Sequence, residues 1–303
     1  MNEHPSNPST NQLRAGLDEA KLLEAVRWSG YPLQSLIAQE LTSHFQVFEE
    51  WGYSDRATRE HRSLDIYAFR ELALPSGAPP ARLHLLIECK RSEMPYVFFP
   101  PGAPRIPHDF PEIVGFGHLS LDLGNRTTQD ASPASFFCAP ELPFVSTEAR
   151  VAVAYARAER KGSSAELSGE VPFKHVVLPL ASAVQHLRDV FGGSHGTPLI
   201  VVSLCVLDAP MVMATGSPDS PQLMLDPWVR VVHQESERTG THWRQQHYTV
   251  DFVHRSYLTI YLTQHLLPFA EELARRFQEG RHKFAKSVPA RAKHLSWAQF
   301  IGR

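Results

Sequence analysis

The chain is 303 residues long, 43% hydrophobic and 20% charged, with a formal net charge of −2, the make-up of an ordinary globular protein. So small a charge excludes nucleic-acid binding by overall attraction and leaves it to local basic patches. Cys89, Cys138 and Cys205 lie scattered without CxxC spacing, which argues against a disulfide framework or a thiolate zinc site and points to a reducing cytoplasm. Residues Met1 to Asn11 lack the apolar core of a secretory signal. No apolar run approaches the roughly 20 residues that a membrane-crossing helix needs.

Taken in order, residues 1–16 read as a flexible lead-in and Leu17 to Trp28 as an amphipathic helix. From Leu33 to Trp51 the spacing predicts a second helix, in which Leu33, Leu36, Ile37, Leu41, Val47, Phe48 and Trp51 fall within an arc of roughly 140° at 100° per residue. Glu40 falls inside that arc, which is unusual because Glu is rarely buried unpaired. Gly52 stops this helix, and a strand is expected near Tyr53 to Thr58. Ser63 to Leu72 is a clearer strand, with Asp65, Tyr67 and Phe69 alternating against Leu64, Ile66 and Ala68. The Pro75–Pro80 segment turns the chain into an apolar strand, Leu83 to Lys90, and the two strands read as a hairpin. Asp is disfavoured within strands, and the hairpin brings Asp65 near the end of the second strand.

Pro95 to Pro143 is rich in proline, glycine and aromatics and reads as a long irregular excursion covering a site or an edge. Val151 to Ala158 is a strand or short helix, followed by a turn at Lys161–Ser164. Leu180 to Phe191 is helical with Gly192-Gly193 as its stop, and Pro198 to Leu207 is a β-branched run suited to a two-sided buried strand. Strands follow at Leu223 to Val232 and His247 to Val253, then a long helix from Ser256 to Phe277, kinked before Pro268. Residues 281–303 carry Arg281, Lys283, Lys286, Arg291, Lys293 and Arg303 and no acidic group. No linker divides two cores, so residues 17–280 read as one α/β domain between a flexible lead-in and a basic tail.

The chemistry concentrates at Glu88-Cys89-Lys90. Alternation puts Glu88 and Lys90 on one face of the strand and Cys89 on the other. Two opposite charges at the end of an apolar strand are costly unless paired, hydrated or bound to a metal. A helix with Glu40, a strand with Asp65, a strand ending Glu-x-Lys, then helix and strand resembles the PD-(D/E)xK nuclease superfamily. The resemblance covers residues about 31–207 and implies a restriction-endonuclease-like αβββαβ core, a mixed central sheet flanked by helices, here with a long insertion and C-terminal elaborations. Leu64 stands where the family's proline precedes its Asp, and the excursion before the second core helix is long for the fold.

The resemblance implies a Mg²⁺-dependent phosphodiesterase, with Mn²⁺ as a substitute, acting on DNA in preference to RNA. Asp65 and Glu88 would hold the metal, with the Cys89 carbonyl as a further ligand. Lys90 would orient or activate water, and Glu40 would add a further contact or help hold a second metal. A homodimer is compatible with it, and a membrane partner is not expected. A catalytically silent nucleic-acid-binding or assembly module that keeps the fold is the rival reading.

Other residues carry less. Gln185 is expected to face solvent, and His84 to be a core histidine. There is no HExxH, no zinc-spaced His/Cys cluster and no GxSxG elbow. Gly192–Gly196 lacks the lysine of a phosphate-binding loop and reads as a connection. Trp228 and Trp243 are core residues by default. Arg59, Arg62, Lys90 and Arg91 form the best-placed basic group.

Overall fold

A computed structural model describes residues 6–13, 18–56, 58–72, 81–103, 109–115, 119–122, 128–192, 197–239 and 242–287. In chain order, α1 (Glu19–Trp28) and α2 (Tyr31–Leu41) precede β1 (Gln46–Ser54), β2 (His61–Leu72), β3 (Ala81–Arg91) and β4 (Tyr96–Phe99). Short strands β5 (Glu112–Val114), β6 (Leu119–Asp122) and β7 (Thr128–Ala131) follow, then β8 (Arg150–Ala152), β9 (Ala154–Lys161) and β10 (Ser164–Ser168). The remainder is α3 (Leu178–Phe191), β11 (Leu199–Asp208), β12 (Met211–Ser217), β13 (Ser220–Leu225), β14 (Trp228–Thr239), β15 (His242–His254) and α4 (Leu267–Ser287).

The molecule is α/β, built on a mixed sheet ordered β1-β2-β3-β11-β15-β14-β8, with β5 added against β11. β1, β2 and β3 run antiparallel in succession, while β11 lies parallel to both β3 and β15. β3 and β11 are buried on both faces, which explains why they read as continuous apolar runs rather than alternating ones. On one face, Leu33, Ile37 and Leu41 of α2 and Leu273 and Phe277 of α4 join a core with Ile66, Leu85, Ile87, Val202 and Val206. On the other, Leu180, Val184 and Leu187 of α3 join Tyr53, Tyr67, Leu86, Cys205 and Leu207. A second sheet, β10-β9-β4-β12-β13, adds Tyr96, Phe98, Tyr155, Met211 and Met213 to that second core.

The structure departs from the sequence reading in several places. The helix expected over Leu33 to Trp51 ends at Leu41, and Gln46–Ser54 is an edge strand. Thr42 and Ser43 donate their hydroxyls to the Gln39 and Glu40 carbonyls, drawing off the last acceptors of the helix. The strand expected over Leu223 to Val232 is two strands in different sheets, parted at Asp226-Pro227. The Pro95–Pro143 excursion contains β4 and β5, which pair with the second and first sheets respectively.

The long terminal helix passes through a wide π turn, Tyr261–Leu266, before Pro268, which accommodates a residue with no N–H to give. It continues to Ser287, beyond the expected Phe277. The Pro75–Pro80 turn, Gly193–Gly196 and residues 288–303 of the basic tail lie outside the described residues. No helix among the described residues is long and apolar enough to cross a membrane.

Candidate active site

β2 and β3 pair from Leu72–Ala81 as far as Ile66–Ile87, where the ladder stops. The strands then fork, and the backbone groups released there find other partners. Asp65 Oδ2 accepts from the Cys89 N–H at 2.7 Å, and the Asp65 carbonyl accepts from Gln34 Nε2 of α2 at 2.9 Å. A residue's N–H and C=O leave a strand on the same side, so the Cys89 carbonyl also faces the fork.

Lys90 Nζ lies 2.5 Å from Glu88 Oε2 and 3.5 Å from Asp65 Oδ2. Glu88 is 4% exposed. Burial pushes its carboxyl up to about 7, with Lys90 opposing the rise and Asp65 adding to it. Burial works to lower the Lys90 ammonium, but the charges of Glu88 and Asp65 outweigh it and hold Lys90 above the usual lysine range. An ion pair alone would lower the carboxyl; Glu88 moves the other way because it is desolvated and shares the fork with a second carboxylate.

Fully ionised, the fork holds two negative charges against one positive. Its donors are two carboxylates and a carbonyl, hard oxygen ligands of the kind Mg²⁺ takes while keeping several waters. Among the described residues, no cluster of three or more His, Cys, Asp and Glu side chains is placed to hold a metal ion. The donor set of the fork fits an ion that completes its shell with water.

Asp65, Glu88, Cys89 and Lys90 come together as the sequence suggests, and Glu40 does not join them. Glu40 Oε1 accepts from Thr259 Oγ1 at 2.5 Å. It lines a separate groove with Leu36, Asp208, His254, Arg255 and Ser256. The reason is that α2 packs on the Ile66–Ile87 face of the sheet, whereas Glu88 shares the opposite face with Leu86 and Cys205.

The Cys89 thiol is buried and pushed well above its ordinary value by desolvation, as is that of Cys205, the β11 residue in register with Glu88. Gln185 donates to Asp189 at 3.0 Å, at the surface. His84 is a core histidine: Nδ1 lies 2.7 Å from the Tyr67 hydroxyl, Nε2 is buried with no partner among the described residues, and burial lowers its pKa to about 3. Trp228 is buried, whereas the Trp243 side chain lies outside the described residues. Of the basic group, Arg62 pairs with Asp55 at 3.1 Å and Arg91 with Asp208 at 3.2 Å.

Sequence reasoning missed Gln34 and Tyr53. Gln34 is a buried amide between the core positions Leu33 and Ile37 of α2, and its signal is a polar residue at that position. Tyr53, expected at the start of a strand and found near the end of β1, donates to the Pro179 carbonyl at 3.1 Å. Burial pushes its hydroxyl up to about 12, with Arg62 opposing the rise and the charge of Glu88 adding to it. Comparison with protein-family models, curated proteins and solved structures finds no match for this chain.

Proposed function

We propose that the chain is a Mg²⁺-dependent nuclease of the PD-(D/E)xK type, with a restriction-endonuclease-like core, hydrolysing phosphodiester bonds in DNA. The observation that carries this reading is the fork itself, where Asp65, Glu88 and Lys90 converge at the parting of two strands. The order α2-β1-β2-β3-α3-β11, with β11 parallel to β3, supports the fold. Asp65, Glu88 and the Cys89 carbonyl would hold Mg²⁺, which supplies charge neutralisation at the phosphoryl oxygens and at the leaving oxygen.

The chain's own groups have distinct tasks. Cys89 N–H and Gln34 fix Asp65 from both sides, so its carboxylate is held before any ligand arrives. Lys90, held charged by its neighbours, is a donor rather than a base in this state. It orients a water or a phosphoryl oxygen and offsets negative charge that develops during attack. Cys89, on the reverse face, and Cys205, beside Glu88 on β11, both stay protonated.

The test is incubation of the protein with plasmid DNA, single-stranded DNA and RNA, each with Mg²⁺, with Mn²⁺ and with EDTA. Metal-dependent cleavage of DNA is expected. Failure to cut any of them with either metal contradicts the proposal.

A further inference from the structure

Each sheet edge offers unpaired backbone groups to another chain, and natural proteins blunt such edges with charge. Among the described residues, three of the four edges of the two larger sheets carry it: β1 has Glu49 and Glu50, β8 has Arg150, and β10 has Glu166. The fourth, β13, reads Ser220-Pro221-Gln222-Leu223-Met224-Leu225 and has no charge. Leu223 is 71% exposed and Leu225 75%.

The direction of the free backbone groups follows from the ladder. The Asp226 N–H donates to the Met211 carbonyl at 3.1 Å, and β13 pairs with β12 in a continuous antiparallel register. Since antiparallel pairs alternate, Gln222, Met224 and Asp226 turn their polar groups toward β12. Pro221, Leu223 and Leu225 turn theirs outward.

We propose that two copies of this chain associate through β13, antiparallel about a two-fold axis at Met224. This register places Leu223 opposite Leu225 of the second copy, and the reverse, giving about four backbone hydrogen bonds from two such pairs. The next pair in this register would set Pro221 against Pro227; neither has an N–H, and the Pro227 carbonyl already accepts from the His254 N–H at 2.8 Å, so the prolines end the ladder and select this register. A two-fold contact brings each residue near its own image, and an uncharged strand meets no like charge there. Asp226 falls opposite Gln222, and its carboxylate is already paired with Arg150 at 2.7 Å. The exposed leucines of both copies then cover one another beside Val212 and Ala214, their neighbours on β12.

The test is the solution mass of the full chain by sedimentation or light scattering across the micromolar range, for the wild type and for Leu223→Lys/Leu225→Lys. A wild-type dimer and a variant monomer with an unchanged circular dichroism spectrum are expected. In a Cys138→Ser background, Met224→Cys should cross-link two copies under mild oxidation, because non-hydrogen-bonded pairs bring Cα atoms to about 4.5 Å. A monomeric wild type overturns the proposal and leaves the edge to a strand of another protein. A dimer unaffected by the lysines and not cross-linked through position 224 overturns it as well.

Discussion

Replacing Arg230 by Met tests how the far side of the sheet is held. Arg230 and Asp251 are both fully buried, with Nε to Oδ1 at 2.7 Å and a second bond from Nη2 to Oδ2 at 2.8 Å. The guanidinium also donates to the Phe144 carbonyl at 2.5 Å and lies 4.2 Å from the Phe110 ring centroid. Asp251 accepts a further bond from the Tyr261 hydroxyl at 2.9 Å. Removing one partner of a buried pair leaves an uncompensated charge and costs about 3–5 kcal/mol. Arg230→Met should therefore lower stability by about that much in urea unfolding, with Asp251 left to the Tyr261 hydroxyl. The double variant Arg230→Met/Asp251→Leu should recover much of the loss, since an apolar replacement of the whole pair avoids the stranded charge. A loss below about 1 kcal/mol in the single variant would refute the reasoning, because that is the range of an exposed ion pair.

The fork itself sets three further outcomes. Because the folded Glu88 carboxyl is raised from 4.5 to about 7, its contribution to stability is present below pH 4.5 and is lost as pH rises through 7. The loss is on the order of 3 kcal/mol, and Glu88→Gln should flatten it when urea midpoints are compared at acid and neutral pH. Gln34→Ala removes the bond to the Asp65 carbonyl and should cost about 1 kcal/mol, with a fall in DNA cleavage measured alongside. Glu40→Gln should leave cleavage within a few-fold of wild type, since Glu40 is turned to Thr259; a loss comparable to that of Lys90→Ala would place it in the fork after all.

The parts of the fold legible in sequence are those with local signals. Asp65 and Glu88 stand out because charges are rare in strands, and the hairpin that joins them follows from two apolar runs around a proline-rich turn. Edge strand β1 reads as helix because its partly exposed Val47, Phe48 and Trp51 happen to extend the helical spacing of α2. Glu40 is misassigned for a different reason: the face of the sheet that a helix covers is decided by long-range packing, which spacing within the helix does not reveal. Gln34 is hidden likewise, since its partner lies 31 residues away, where a ladder ends.

The most direct measurement of the central claim is the rate of Mg²⁺-dependent DNA cleavage by the wild type and by Lys90→Ala. Loss of a charged donor at the reacting phosphate should lower the rate by about 100-fold or more, with the variant's fold unchanged by circular dichroism. Equal rates for the two proteins, or cleavage that persists in EDTA, would contradict the account.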